Sequence, residues 1–171
     1  LPDLPAVFAW IDQLDDRRLL ADVAAAVSFV QCQPELRQAR VGIAGFCLGG
    51  QYALQAACSV AGLDAAVSFY GMLRYAAHSE RKPASPIELA PALACPYLGL
   101  FGADDALIPA ADVDALATVL RDHEKTFAIH VYPGAGHAFC NDTRPDAYRP
   151  AAAADAFARA EGFVRRYLMG K

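Results

Sequence analysis

Chemistry-bearing residue types cluster at three places in this chain. The first is Gly45-Phe46-Cys47-Leu48-Gly49-Gly50, a thiol set among glycines at the end of an apolar run. The second is Gly102-Ala103-Asp104-Asp105-Ala106-Leu107-Ile108-Pro109, where two adjacent acids follow another apolar run. The third is Pro133-Gly134-Ala135-Gly136-His137-Ala138-Phe139, an imidazole in a glycine-rich loop. A thiol that gives its proton to an imidazole, itself steadied by a carboxylate, is a nucleophile able to attack a carbonyl carbon. Each residue also has a plainer use. A free cysteine is often a small apolar filler, an Asp before a helix is often a cap, and a lone histidine is more often structural. Cys32, Cys58, Cys95 and Cys140 lack the glycine setting and are read as fillers.

The elements around these residues decide between the two uses. Leu14–Gln31 carries apolar residues at Leu19, Leu20, Val23, Val27 and Val30, the spacing of an amphipathic helix. Arg40–Phe46 is short, branched and apolar, which suits a buried strand, and a small-residue helix follows over Leu48–Ala61. Further strands are expected at Ala65–Tyr70, Tyr97–Phe101 and Thr126–Tyr132, with helices at Pro109–Glu124 and Pro150–Leu168. The last helix should turn Ala153, Phe157, Phe163, Val164 and Tyr167 inward. Residues 72–95 are broken by Pro83, Pro86 and Pro91 and read as a lid, a binding segment or a surface excursion with a helical turn near 88–93. Strands alternating with helices build a parallel sheet with helices on its faces, a single α/β domain over 1–171. Ligands in such sheets bind beyond the carboxyl ends of the strands, here after residues 46, 70, 101 and 132.

Cys47, an Asp of the pair 104/105, and His137 each follow their own strand. That is the chain order of the α/β-hydrolase triad, and Gly45-x-Cys47-x-Gly49 is its nucleophile elbow with cysteine in place of serine. Glycines let the strand reverse sharply into a helix. The helix N-terminus favours a thiolate, and the Leu48 N–H is placed to meet an oxyanion.

These stretches, with LGLFGADDALIP (98–109), YPGAGHAF (132–139) and RPDAYRPAAAADAF (144–157), resemble the dienelactone hydrolases, a cysteine branch of the α/β-hydrolase superfamily. The resemblance implies Cys47 as nucleophile and His137 as base. It selects Asp105 over Asp104, because the family places the acid four residues before the Pro. It implies hydrolysis of small carboxylic esters or lactones through an acyl-thioester, with no metal and no organic cofactor. Two departures stand out. Family members carry several strands ahead of the opening helix, which supply a second oxyanion donor and cover the outer edge of the strand at 41–46. Residue 1 is therefore expected to lie inside a longer protein. The family also holds a substrate carboxylate with an arginine shortly after the histidine; this chain has Asn141 there, with Arg144 shifted, so a broader carboxylesterase role fits as well.

Bulk properties narrow the partners. A net charge of -4 without a Lys/Arg block argues against nucleic acid. The apolar runs fall well short of the roughly 20 residues a membrane span needs. Five cysteines without a C-x-x-C spacing support neither a zinc site nor a disulfide framework, and reduced thiols fit a cytoplasmic setting. Two other readings remain. Gly45-x-Cys47-x-Gly49-x-Gln51 resembles the elbow of class I glutamine amidotransferases, with His78-Ser79-Glu80 as the matching His-x-Glu. A non-catalytic hydrolase-like module is the other.

Overall fold

The computed structural model describes residues 4–36 and 38–170. The start of the LPDLP lead-in, residues 1–3, lies outside them. A short helix, α1 (Leu4–Ile11), opens the described chain ahead of the first helix the sequence suggested. Pro5 sits in its first turn, where a missing N–H costs nothing. Helix α2 (Asp16–Cys32) starts two residues later than expected. The reason is local: the Asp15 carboxylate accepts the Arg17 and Arg18 N–H groups at 2.9 and 3.2 Å, and so becomes the cap.

The remaining elements are β1 (Gly42–Phe46), α3 (Leu48–Ser59), β2 (Ala65–Phe69), α4 (Pro86–Leu89), β3 (Tyr97–Gly102), α5 (Ala110–Asp122), β4 (Phe127–Tyr132) and α6 (Pro150–Leu168). The four strands form one parallel sheet in the order β1-β2-β3-β4. Burial follows from that order. The central strands β2 and β3 are buried at every position, which explains why they are apolar throughout apart from Ser68. The outer strands are partly exposed. Tyr97, Leu98, Leu100 and Phe101 of β3 meet Leu54 of α3 and Leu116 and Leu120 of α5 in the main core.

In β1, Gly42, Ala44 and Phe46 are exposed, and its only sheet partner is β2. The outer edge anticipated to lack a partner is thus open among the described residues. Phe157 corrects one expectation. It is 47% exposed rather than inward, and Ala156 takes the core position beside Ala153. The Phe157 ring instead lies 6.1 Å from Phe46 and 5.5 Å from Phe69, forming an aromatic patch at the β1 edge. The long segment after β2 contains only α4 and a 3-10 turn at Ala90–Ala92. Ser85 and Glu88 form a capping box at the start of α4, with Pro86 at a position where proline is favoured. No helix among the described residues is long and apolar enough to cross a membrane.

Candidate active site

The carboxyl ends of β1, β3 and β4 carry the three residues singled out above. Cys47 forms the turn between β1 and α3, with φ 53° and ψ -118°. That backbone is strained for a residue with a Cβ, and such strain gathers at functional sites. The strain is held in place by packing. The Cys47 N–H donates to the Phe69 carbonyl at 2.9 Å, and the Gln51 N–H donates back to the Cys47 carbonyl at 3.0 Å.

The glycines around this turn divide differently than the sequence pattern suggested. A Cβ at Gly45 would lie 2.1 Å from the Gly49 carbonyl oxygen, and one at Gly50 would lie 2.7 Å from the Phe69 oxygen. A Cβ at Gly49 would meet nothing within 4 Å. The sharp bend therefore depends on Gly45 and Gly50, while Gly49 stands in open space.

Asp105 is buried and Asp104 is exposed, so the acid facing the interior is the second of the pair. Neither caps α5, which has Pro109 at its N-cap and no side-chain cap bond. The Asp105 Oδ1 accepts the Leu107 N–H at 2.9 Å, which fixes the carboxylate plane and leaves Oδ2 free to face a second group.

The loop after β4 brings that second group in. The Asp104 N–H donates to the Ala135 carbonyl at 2.9 Å, and Arg149 Nε donates to the Gly134 carbonyl at 3.0 Å. The Arg149 N–H also donates to the Phe139 carbonyl at 3.0 Å. Glycine-rich composition suggested a flexible loop; it is in fact pinned at both ends. Its close approach demands Gly102, where a Cβ would lie 2.3 Å from the Ala135 oxygen.

These constraints bring Cys47, His137 and Asp105 together. His137 Nε2 lies 3.0 Å from Cys47 Sγ, and His137 Nδ1 lies 2.8 Å from Asp105 Oδ2. Burial alone depresses the His137 pKa. Its hydrogen bonds to Asp105 and Cys47, together with their negative charge, outweigh that and raise it from 6.5 to about 9. Burial alone raises the Cys47 thiol. The hydrogen bond and charge of His137, with a further bond from the Leu48 N–H, reverse this and leave it below its ordinary value. Both shifts run toward the charged forms, thiolate for Cys47 and imidazolium for His137. Burial pushes the other thiols the opposite way, Cys58 and Cys140 to about 12 and Cys95 to about 11.

The sequence reading missed Tyr70. It follows β2 with φ 40°, is 4% exposed, and packs edge-on against the His137 ring at 5.3 Å. Its place after the second strand was the available signal. The competing His-x-Glu pair does not reach the thiol: His78 Nε2 lies 2.9 Å from Glu88 Oε2 instead.

The chain is also similar to known proteins along nearly its whole length. The dienelactone hydrolase family model matches residues 3–168. A Bradyrhizobium sp protein assigned as a 2-oxo-3-(5-oxofuran-2-ylidene)propanoate lactonase is 38% identical over 161 residues, covering 94% of this chain and 64% of that relative. An Escherichia coli (strain K12) protein assigned as a carboxymethylenebutenolidase is 34% identical, covering 96% of this chain and 60% of the relative. The crystal structure of a Klebsiella pneumoniae protein assigned as a dienelactone hydrolase superposes with a TM-score of 0.87 at 34% identity, covering 98% of this chain and 69% of that one. The chain thus spans somewhat under two thirds of the length of these curated relatives. With its parallel sheet, its helices and the match along nearly its whole length, the chain has the α/β-hydrolase fold and belongs to the dienelactone hydrolase family.

Proposed function

We propose that this chain carries the chemistry of a hydrolase acting on small carboxylic esters or lactones, with Cys47 as nucleophile, His137 as general base and acid, and Asp105 as the group that orients His137. The observation that carries this reading is the unbroken contact line from Cys47 Sγ to His137 Nε2, 3.0 Å, and from His137 Nδ1 to Asp105 Oδ2, 2.8 Å. Family membership supports the ester or lactone class. The lactonase assigned in Bradyrhizobium supports a cyclic ester within that class.

The steps follow from the charge state of the pair. The Cys47 thiolate attacks the substrate carbonyl carbon, and the carbonyl electron pair moves onto oxygen. The Leu48 N–H, already directed at the sulfur, is one donor to that oxyanion. Collapse of the intermediate breaks the C–O bond, and the proton on His137 Nε2 passes to the departing alkoxide. The acyl group now sits on sulfur as a thioester; for a lactone, the freed hydroxyl stays tethered to it. Water then attacks the thioester, His137 Nε2 takes its proton, and the C–S bond breaks to restore the thiolate. The sum is ester plus water to acid plus alcohol.

The test is turnover of p-nitrophenyl acetate by the wild type and by Cys47→Ala, His137→Ala and His78→Ala. The first two should lose about 10³-fold or more in kcat, in line with other residues that act as a triad. His78→Ala should retain activity. Full activity in Cys47→Ala would overturn the reading. Turnover lost in His78→Ala but kept in His137→Ala would point to the amidotransferase pairing. The non-catalytic module makes its own forecast: all five cysteines would label equally slowly with iodoacetamide.

A further inference from the structure

The segment between β2 and β3 is held by a buried polar node that the proposed chemistry does not use. Asp16, at the start of α2, and Lys82, in the long segment, pair at 2.7 Å, and each is only 3% exposed. A buried ion pair is tolerable only when its remaining donors and acceptors are met. Here they are. Lys82 Nζ also donates to the Tyr52 hydroxyl at 2.8 Å, and it lies 5.3 and 5.2 Å from the ring centres of Tyr52 and Tyr75. The Tyr52 hydroxyl donates to Asp16 Oδ1, and the Tyr75 hydroxyl to Asp16 Oδ2, both at 2.7 Å.

Tyr75 is the hub. Besides donating to Asp16, its hydroxyl accepts from Gln51 Nε2 at 2.8 Å and from Gln55 Nε2 at 3.1 Å. Both glutamines belong to α3, and the Gln51 N–H bonds the Cys47 carbonyl. Burial and the Asp16 carboxylate push the Tyr75 pKa upward, so the hydroxyl stays a donor. One node therefore joins the start of α2, the helix behind the thiol, and the long segment.

The same segment faces a cavity of about 600 Å³ on its other side. Met72, residues 74–79 and Lys82 form most of the wall, and Ala106 and Leu107 of the Asp105 turn close it. Phe8 of α1 and Asp12, just after that helix, complete it. The cavity thus abuts the turn that holds the His137 carboxylate, and its wall is the segment that the node anchors.

We propose that Asp16, Lys82 and Tyr75 are positioning residues for substrate selection: their node holds residues 74–79 and Lys82 as the wall of the cavity beside the Asp105 turn, and so gives a longer acyl group the surface it packs against. This rests on the ester-hydrolase reading above. Removing the Tyr75 hydroxyl breaks the hub without changing the shape of the ring, and it leaves Gln51 Nε2 without its acceptor. The wall then loosens, while the thiol keeps its own contacts with His137 and Leu48.

The experiment compares p-nitrophenyl hexanoate with p-nitrophenyl acetate for wild type and Tyr75→Phe, with Cys47→Ala run alongside. The hexanoate/acetate ratio of kcat/KM should fall about fivefold or more in Tyr75→Phe, carried by KM. The rate of iodoacetamide labelling at Cys47 should stay within about twofold of wild type. Should Tyr75→Phe not fold, Gln55→Met serves. It removes one donor to Tyr75 and one to Asp16, together with a buried amide oxygen that has no partner among the described residues, and it should shift the ratio in the same direction. An unchanged ratio, even with a lowered Tm, would overturn the proposal, because it leaves the node a merely structural role. Equal loss on both esters with slower labelling would also overturn it. In either case, an inactive Cys47→Ala beside an active wild type shows that the hydrolase reading survives. An active Cys47→Ala, or a wild type without ester turnover, sinks that reading and the node proposal with it.

Discussion

At the scale of single residues, what distinguishes Cys47 from the other cysteines is its neighbour. All the shifted thiols are penalised by burial, but Cys47 alone among them faces an imidazole and a helix-turn N–H, and only its pKa is lowered. The pH dependence follows with a definite sign. On the proposed mechanism, the acid limb of kcat/KM should report protonation of the thiolate and fall below the ordinary cysteine value of 9.0. The alkaline limb should report loss of the His137 proton that the departing alkoxide would take, and fall near pH 9. A bell-shaped profile is expected, and one still rising well above the alkaline limb would contradict it. Labelling at neutral pH should find Cys47 well ahead of Cys58, Cys95 and Cys140, as peptide mapping by mass spectrometry would show. The residue types and chain order of this trio were legible in the sequence. The choice of Asp105 came from resemblance, since two adjacent acids in a turn are equivalent until one is seen to be buried. Tyr70 was legible only by its place after the second strand, because an aromatic ending an apolar strand reads as core until its ring is seen against the imidazole.

At the scale of elements, the site is a set of sharp turns at the ends of short strands, and glycine matters only where two backbones touch. Gly45→Ala drives a Cβ into the Gly49 carbonyl and should cost about 1–3 kcal/mol or more. Gly49→Ala has open space around it within the first turn of α3 and should be neutral, or stabilising by up to about 1 kcal/mol. Urea denaturation midpoints of the two variants decide this; equal destabilisation would refute the division. The G-x-C-x-G pattern could not make that distinction, because it records residue types and not which backbone crosses above them. Strands β1 to β4 and helices α2, α3, α5 and α6 were readable from periodicity and glycine punctuation. Helix α1 was not read from the sequence, although its one proline sits harmlessly in the first turn.

At the scale of the molecule, the two ends of the sheet are the exposed ones, and the β1 end is also apolar. Phe46 is 44% and Phe157 47% exposed, beside a strand whose outer edge has no partner among the described residues. A separate apolar groove, lined by Val23, Val27, Val30, Val41 and Ile43, lies between α2 and β1. An open edge flanked by aromatics is a template for further pairing. The 171-residue chain prepared alone should therefore associate as its concentration rises. Phe157→Asp should weaken that association, as followed by sedimentation velocity. A monomer across the whole concentration series would show that the patch is inert.

Taken alone, the sequence determined the class of fold, the order of its strands and helices, and the three chemical groups presented along one rim. Those properties depend on hydrophobic period, on glycine and proline placement, and on residue type, all of which are local. Only the tertiary structure decided which acid faces the imidazole, which glycines the bend requires, and that Lys82 and Asp16 meet across 66 residues of chain. Such contacts depend on which surfaces exclude water together, and no stretch of neighbouring residues encodes that by itself.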